Sequence, residues 1–410
     1  MLAILTTHPI QYQVPLWQAL AQDGRVPFEV WYLTRHGIEV SPDREFGQSF
    51  AWDLDTLQGY PHRFLNTASE ATPASFWKCR MAEPLADLLR SRGVRALWVQ
   101  GWQVAAYWQA VWAAKRAGVD VWLRGESNDL APTPRAKQAL KRRLLGQFFQ
   151  RVDHFLFIGA ANRRLYEQFG VPASRLHPAP YAVDNERFKE QADHLRSQRA
   201  ELRKQWGIAE DAFCILFCGK FIPKKRPLDL VAAAHQLKQQ GRVADPHLLF
   251  VGSGELGERL RSECTVVFDA ESNERPSVGV NNHSARPRAS FVGFLNQTEI
   301  SQAYVAADCL VLPSDHRETW GLVINEALVS GLPCVVSDAC GCAEDLIKPF
   351  NSHLCFPLGE PSQLAEALER LAAYPAEMNN VDQISETYNF ARSVRTVAEI
   401  YLACHSSSLS

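Results

Sequence analysis

Two carboxylates eight residues apart, Glu318 and Glu326, lie in the run Glu-Thr-Trp-Gly-Leu-Val-Ile-Asn-Glu, which reads as a strand exit followed by a helix. One continuous helix would separate them by roughly 12 Å at ~1.5 Å rise per residue, and a start in the loop would separate them further. Retaining glycosidases keep their two carboxyls about 5 Å apart and inverting ones under about 10 Å. The spacing therefore does not suit a hydrolytic pair. It suits a grip on an extended nucleotide sugar, with one carboxylate accepting from the transferred sugar and the other from the ribose. Two acids near a helix start also favour its dipole with no ligand at all, and the pair by itself does not decide between these readings.

A diphosphate between those two ends needs cations and aligned amides. Lys225 and Lys220 lie in Gly219-Lys-Phe-Ile-Pro-Lys-Lys-Arg226, which as a lone run would also suit a solvated basic loop. The amides near Gly321, Leu322 and Val323 open the helix after the strand Cys309 to Leu312, where unpaired N–H groups favour anions. Thr319 and Trp320 belong to the same turn. In the amino-terminal half, His8 and Glu126 fall at the ends of expected strands and are candidates to contact an acceptor or polarise its hydroxyl. A pairing of Arg124 with Glu126 would instead make both structural. Trp102, at another strand end, could stack on a sugar.

These groups need two sets of parallel strands to hold them. Apolar runs at Leu2 to Thr6, Phe28 to Leu33, Ala96 to Val99, Val119 to Leu123 and Phe155 to Ile158 form the first set. Phe213 to Cys218, His247 to Val251, Ser290 to Val292, Cys309 to Leu312, Cys334 to Val336 and Ser352 to Phe356 form the second. Helical patterns alternate with them, which predicts an α/β chain of two doubly wound halves. The proline-marked stretch His177 to Phe188 is the crossing segment. Residues 266–289, rich in Asn, Ser, Pro and charge, read as a lengthened loop.

Taken in order, the blocks of the carboxyl half resemble the retaining glycosyltransferases of family GT4. Gly219 to Lys225 looks like that family's Gly-Arg-Leu-x-x-x-Lys segment, with Lys220 at the usual arginine. Val251-Gly-Ser-Gly-Glu255, Phe291-Val-Gly-Phe-Leu295, Ala307-Asp308 and Leu312-Pro-Ser314 follow in the family's order before the two glutamates. The resemblance implies a GT-B fold, two Rossmann-like domains facing a central cleft. Residues 1–188 would be the acceptor-binding domain, 189–380 the nucleotide-sugar-binding domain, and 381–410 a helix returning to the first. It implies Lys225 as the diphosphate contact, Glu326 as the ribose contact, Glu318 as the sugar contact, and backbone near Phe294 at the base. The expected activity is retaining transfer from a nucleoside-diphosphate sugar, a UDP- or GDP-sugar, to a hydroxyl of a glycan or lipid-linked acceptor in bacterial polysaccharide or glycoconjugate assembly. No cofactor and no metal are expected. The first domain departs from the family. The glycine pair of the first loop is replaced by His8-Pro-Ile-Gln-Tyr-Gln13, and the histidine after a central strand is missing. The leaving phosphate is thought to help deprotonate the acceptor in this family, so no protein nucleophile is required.

Other readings stay in view. A related sugar-nucleotide epimerase would need no acceptor, and a non-catalytic binder would turn nothing over. Gly252-Ser-Gly-Glu-Leu-Gly257 matches a dinucleotide fingerprint, but it opens the second half and leaves the glutamate segment unexplained. Asp53-Leu54-Asp55 resembles a metal-binding pair without enough ligands for a hard cation.

At 410 residues, 46% hydrophobic and 21% charged, the chain has material for two cores. A formal net charge of −2 gives no general pull toward nucleic acid. Ten cysteines without C-x-x-C pairs read as reduced core thiols. No apolar run reaches the ~18 residues of a membrane span, and the expected location is cytoplasmic. Arg135 to Arg151 sets Leu140, Leu144, Leu145, Phe148 and Phe149 beside Lys137, Lys141, Arg142 and Arg143. This suits an ordinary amphipathic helix with its apolar side in the core, or peripheral contact with the inner face of a membrane.

Overall fold

The computed structural model describes all residues except 39–40, 44–47, 51–54, 68–71, 133–134, 242, 244, 272–285, 375–380 and 406–410. Asp53 and Leu54 of the acidic pair lie outside the described residues, whereas Asp55 accepts from the Leu57 amide at 3.0 Å. The chain divides into two compact units. Unit 1 comprises Met1–Ser41, Leu54–Val183 and Tyr388–Ser410, and unit 2 comprises Pro42–Asp53 and Asp184–Thr387.

In chain order the strands are β1 (Leu2–Thr6), β2 (Phe28–Tyr32), β3 (Ser41–Asp43), β4 (Gln48–Phe50), β5 (His62–Phe64), β6 (Ala96–Val99), β7 (Asp120–Leu123), β8 (His154–Phe157), β9 (Leu176–Pro178), β10 (Phe213–Cys218), β11 (Pro246–Val251), β12 (Thr265–Asp269), β13 (Arg288–Phe291), β14 (Cys309–Leu312), β15 (Cys334–Ser337) and β16 (Cys355–Phe356). Unit 1 holds a seven-stranded sheet of order β5-β2-β1-β6-β7-β8-β9, and unit 2 one of order β12-β13-β11-β10-β14-β15-β16; β3 and β4 pair separately. Every adjacent pair in the two large sheets is parallel.

Parallel strands need both faces covered, and the unit 1 sheet shows how the sequence does this. Leu5, Leu97, Val99, Val121 and Leu123 pack on one side with Tyr107, Val111, Phe148 and Phe149. Their neighbours Ile4, Trp98 and Trp122 pack on the other with Trp17 from the helix Val14–Asp23 and Val397, Ala398 and Tyr401 from the helix Phe390–His405. That last helix follows unit 2 in the chain yet completes the core of unit 1.

In both sheets the winding direction reverses once, between β1 and β6 and between β10 and β14. Such switch points open a crevice at the carboxyl ends of the strands, where open α/β sheets bind ligands. The strand exits there are Thr7–His8 and Gln100 in unit 1, and Gly219–Lys225 and Pro313–Glu318 in unit 2.

Three expectations need correction. The stretch read as a loop from 266 begins as an edge strand, since Thr265–Asp269 pairs with Arg288–Phe291. Three branched or aromatic residues in a row, Val266, Val267 and Phe268, are enough to extend an edge beside a formed strand. Ser352–Leu354 is a 3₁₀ turn and only Cys355–Phe356 is strand, because Asn351 caps the turn by accepting from the His353 amide at 3.1 Å. The short strands His62–Phe64 and Leu176–Pro178 were not foreseen; three residues carry too little periodicity to read.

Candidate active site

In unit 2 the loop after β10 tightens into a 3₁₀ turn, Pro223–Lys225, which sets the Lys225 side chain over the sheet end. The loop after β14 brings Glu318 to it, and the two form an ion pair with side chains 16% and 15% exposed. Backbone bonds fix the encounter: the Asp315 amide donates to the Lys224 carbonyl at 2.9 Å, and the Glu318 amide to the Asp315 carbonyl at 2.8 Å. Burial alone would lower the Lys225 ammonium, but the charge and hydrogen bond of Glu318 outweigh it and hold it above the usual lysine range.

Gly321, at φ +106°, turns the chain into the helix Leu322–Val329. A Cβ there would lie 2.6 Å from Leu312 Cδ2, so only glycine fits. Glu326 sits in this helix, 3% exposed, and accepts the hydroxyl hydrogen of Tyr304. Burial first, then the charge of Glu326, raises the Cys218 thiol at the end of β10 to about 12 against the opposing influence of Lys225 and Tyr304. One thiol thus reports Lys225, Glu326 and Tyr304 as neighbours.

Tyr304 was missed in sequence. The available signal was a tyrosine inside the apolar helix Ser301–Ala306, because a buried phenol needs a partner. Trp320 has a buried ring, and its indole donates to Asn325 Oδ1 at 2.8 Å. Lys220, Phe294 and Thr319 are half-buried on the loops after β10, β13 and β14, as are Leu322 and Val323 at the helix start. Asp308 serves the scaffold, accepting from Arg199, Arg203 and the Cys214 amide.

The dinucleotide-like glycines are explained by packing. A Cβ on Gly252 would lie 2.1 Å from the Gly219 carbonyl oxygen, and one on Gly254 2.8 Å from that of Phe221. Those glycines let the loop after β11 rest on the loop that carries Lys225. Gly341 plays the same part for Glu318, since a Cβ there would meet the Thr319 oxygen at 1.9 Å. The ten cysteines are all free, and among the described residues no cluster of His, Cys, Asp and Glu could hold a metal.

In unit 1, Glu126 accepts from the Tyr181 hydroxyl at 2.7 Å, and the Arg124 guanidinium lies over the Tyr181 ring at 4.8 Å. Among the described residues no ion pair joins Arg124 to Glu126. His8 bonds through Nδ1 to the Thr7 hydroxyl at 2.9 Å and meets the His36 ring edge-on at 5.1 Å. Burial, with His36 adding to it, lowers His8 to about 4. It is neutral near pH 7 and too weak a base to match that pH. Trp102 packs edge-on against Phe149 at 5.4 Å. Of the basic helix Arg135–Phe149, Leu145, Phe148 and Phe149 enter the core while Leu144 is exposed. Among the described residues no helix is long and apolar enough to cross a membrane.

Two sheets of this order, each with loops gathered at its switch point, define the GT-B class of glycosyltransferases. Residues 198–387 match the family of glycosyl transferases group 1 and residues 14–182 a glycosyl transferase 4-like domain; the chain belongs to the GT4-type glycosyltransferases. The D-inositol 3-phosphate glycosyltransferase of Thermomonospora curvata is 27% identical over 215 residues, 52% of this chain and 47% of that protein. The GDP-mannose-dependent alpha-mannosyltransferase of Mycobacterium tuberculosis is 31% identical over 191 residues, 47% of this chain and 40% of that protein. The chain thus spans less than half the length of these curated relatives. A glycosyltransferase of Rickettsia africae superposes with a TM-score of 0.69 at 12% identity, covering 99% of both chains. Anabaena HepE, solved in complex with UDP, superposes with a TM-score of 0.66 at 17% identity over 98% of this chain and 99% of that one.

Proposed function

We propose that the protein moves a sugar from a nucleoside-diphosphate sugar to a hydroxyl of a glycan or lipid-linked acceptor with retention of anomeric configuration. The observation that carries this reading is the Lys225–Glu318 pair at the unit 2 switch point, beside the start of the helix that bears Glu326. Lys225 and the amides of Gly321, Leu322 and Val323 take the diphosphate, where negative charge grows as it leaves. Lys220 adds charge, Glu318 takes the sugar hydroxyls, Glu326 the ribose, and backbone near Phe294 the base. The bond from the anomeric carbon to the diphosphate breaks, the bond to the acceptor oxygen forms on the same face, and the acceptor proton passes to the departing phosphate. Unit 1 supplies the acceptor contacts, among them Glu126, with His8 as a neutral hydrogen-bonding neighbour.

A UDP- or GDP-sugar is the donor class, and no cofactor or metal takes part. The GDP-mannose dependence in a relative's name is in keeping with this. Ten free thiols suit a reducing, cytoplasmic setting, and exposed Arg142, Arg143 and Leu144 give a surface for peripheral contact with an anionic inner membrane face, which liposome flotation tests. Incubation with a panel of donors, following nucleotide release with and without acceptors, tests the whole reading. Release coupled to acceptor supports transfer. Release with a rearranged sugar and no acceptor would make it an epimerase, and binding without release a sensor.

A further inference from the structure

The residues just past β1, β6 and β7 continue the register of unit 1. Leu5, Val99 and Leu123 are aligned across the three strands. The Gln100 amide donates to the Leu5 carbonyl at 3.2 Å and the Arg124 amide to the Val99 carbonyl at 3.0 Å. Thr6, Gln100 and Arg124 therefore form one row beginning at the switch point. All are buried, Gln100 at 8% and Arg124 at 3% exposure. Thr6 is satisfied by donating to Gln13 Oε1. Gln100 Nε2 and Arg124 Nε have no hydrogen-bond partner among the described residues.

A buried guanidinium without a counter-charge destabilises a fold, and so does a buried amide donor left unpaired. Two such groups side by side at a switch point are what a site looks like when its ligand is absent. Both offer donors, and the guanidinium fork matches the two oxygens of a carboxylate or phosphate. The Tyr181 ring beneath Arg124 holds it by a cation–π contact that leaves the N–H edge available. We propose that Arg124 and Gln100 anchor an anionic substituent, a phosphate or a carboxylate, carried by the acceptor. This rests on the reading of unit 1 as the acceptor unit. Arg124 takes the anion while Glu126, steadied by Tyr181, accepts from an acceptor hydroxyl, so the two fix opposite ends of one small group.

The full-length protein, saturated with UDP or GDP to occupy the diphosphate site, is titrated calorimetrically with inorganic phosphate, glucose 6-phosphate, glucuronate and glucose. Wild type binds at least one anion and binds glucose at least tenfold more weakly. Glucose 6-phosphate against glucuronate tells phosphate from carboxylate. Arg124→Met loses anion affinity at least tenfold, melts no lower than wild type, and keeps its nucleotide affinity; Arg124→Lys falls between. Gln100→Leu, the check should Arg124→Met not fold, loses anion affinity severalfold without a lower melting temperature. Equal anion affinity in wild type and variants, or equal affinity for glucose and its anionic relatives, overturns the inference and leaves the donor reading standing. Failure of wild type to bind either nucleotide overturns the donor reading and this inference with it.

Discussion

Lys225 cannot serve Glu318 and a diphosphate equally, because the same ammonium answers both. Without a donor, Glu318 holds it in a half-buried pair; with one, phosphate oxygens compete for it. Glu318→Gln removes the competing charge and keeps the side chain's shape. We expect this variant to bind the bare nucleoside diphosphate at least as tightly as wild type, while sugar transfer falls at least tenfold for loss of the hydroxyl acceptor. Calorimetry beside initial rates checks it, and weaker nucleotide binding in Glu318→Gln would show that the carboxylate does not restrain the lysine. Lys225→Ala and Glu326→Ala are expected to weaken donor binding or turnover at least tenfold each, as losses of about 1.5 to 3 kcal/mol for charged contacts imply. Unchanged binding and rates in both, with the fold intact, would move the donor elsewhere. The buried His247 gives a residue-level pH prediction. Its Nε2 donates to Ser290, whose own hydrogen goes to the Trp206 carbonyl, and burial first, then Arg288 and Arg203, lowers it to about 3. Its folded value lies below the unfolded ~6.5, so from there down to about 3 the unfolded chain binds more protons and stability falls with pH. His247→Gln should flatten that decline by up to ~1.4 kcal/mol per pH unit; urea melts between pH 6.5 and 4 with identical slopes would contradict it.

At the level of elements, the site is a stack of loops whose backbones touch. The Gly341 amide donates to the Glu318 carbonyl at 3.2 Å and the Cys342 amide to the Trp320 carbonyl at 3.1 Å, and the approach is too close for any Cβ at 341. Gly341→Ala must push the Glu318 loop away, and nucleotide-sugar turnover should drop at least tenfold. Gly24→Ala, where nothing lies within 4 Å, should change turnover little and cost only about 1 kcal/mol in stability for its left-handed backbone. Comparable turnover losses in the two would mean that loop position is not what Gly341 controls. This contact also shows where sequence stops being informative. Cys340-Gly341-Cys342 attracts notice for its thiols, yet the glycine between them is what positions Glu318, and a backbone-to-backbone approach leaves no trace in residue type beyond glycine itself. The long apolar strands were legible because buried parallel strands have few other sequences. Lys225 and Glu318 were legible because charge on a strand-exit loop stands out. Their pairing, and the hold of Tyr304 on Glu326, depend on contacts across 93 and 22 residues that local pattern does not encode.

For the whole molecule, chain order and structural membership part company at the last helix. Phe390–His405 comes after all of unit 2, yet Val394, Val397, Ala398, Ile400 and Tyr401 fill the unit 1 face made by Ile4, Trp98 and Trp122. Ser393 reinforces this by donating to the Pro180 carbonyl at 3.3 Å. A charge placed at Val397, which is fully buried, has no partner there and should cost several kcal/mol. Because the helix belongs to unit 1, Val397→Asp should lower the thermal transition of that unit while UDP or GDP binding, assigned to unit 2, keeps its wild-type affinity. Nucleotide at 100 times its Kd should raise the unit 2 transition by the equivalent of about 2.7 kcal/mol in both proteins. Scanning calorimetry with and without nucleotide reads both effects at once. A Val397→Asp protein that melts in a single transition and has lost nucleotide affinity would mean that the two units do not hold their ligands independently, and that the division of donor and acceptor between them is wrong.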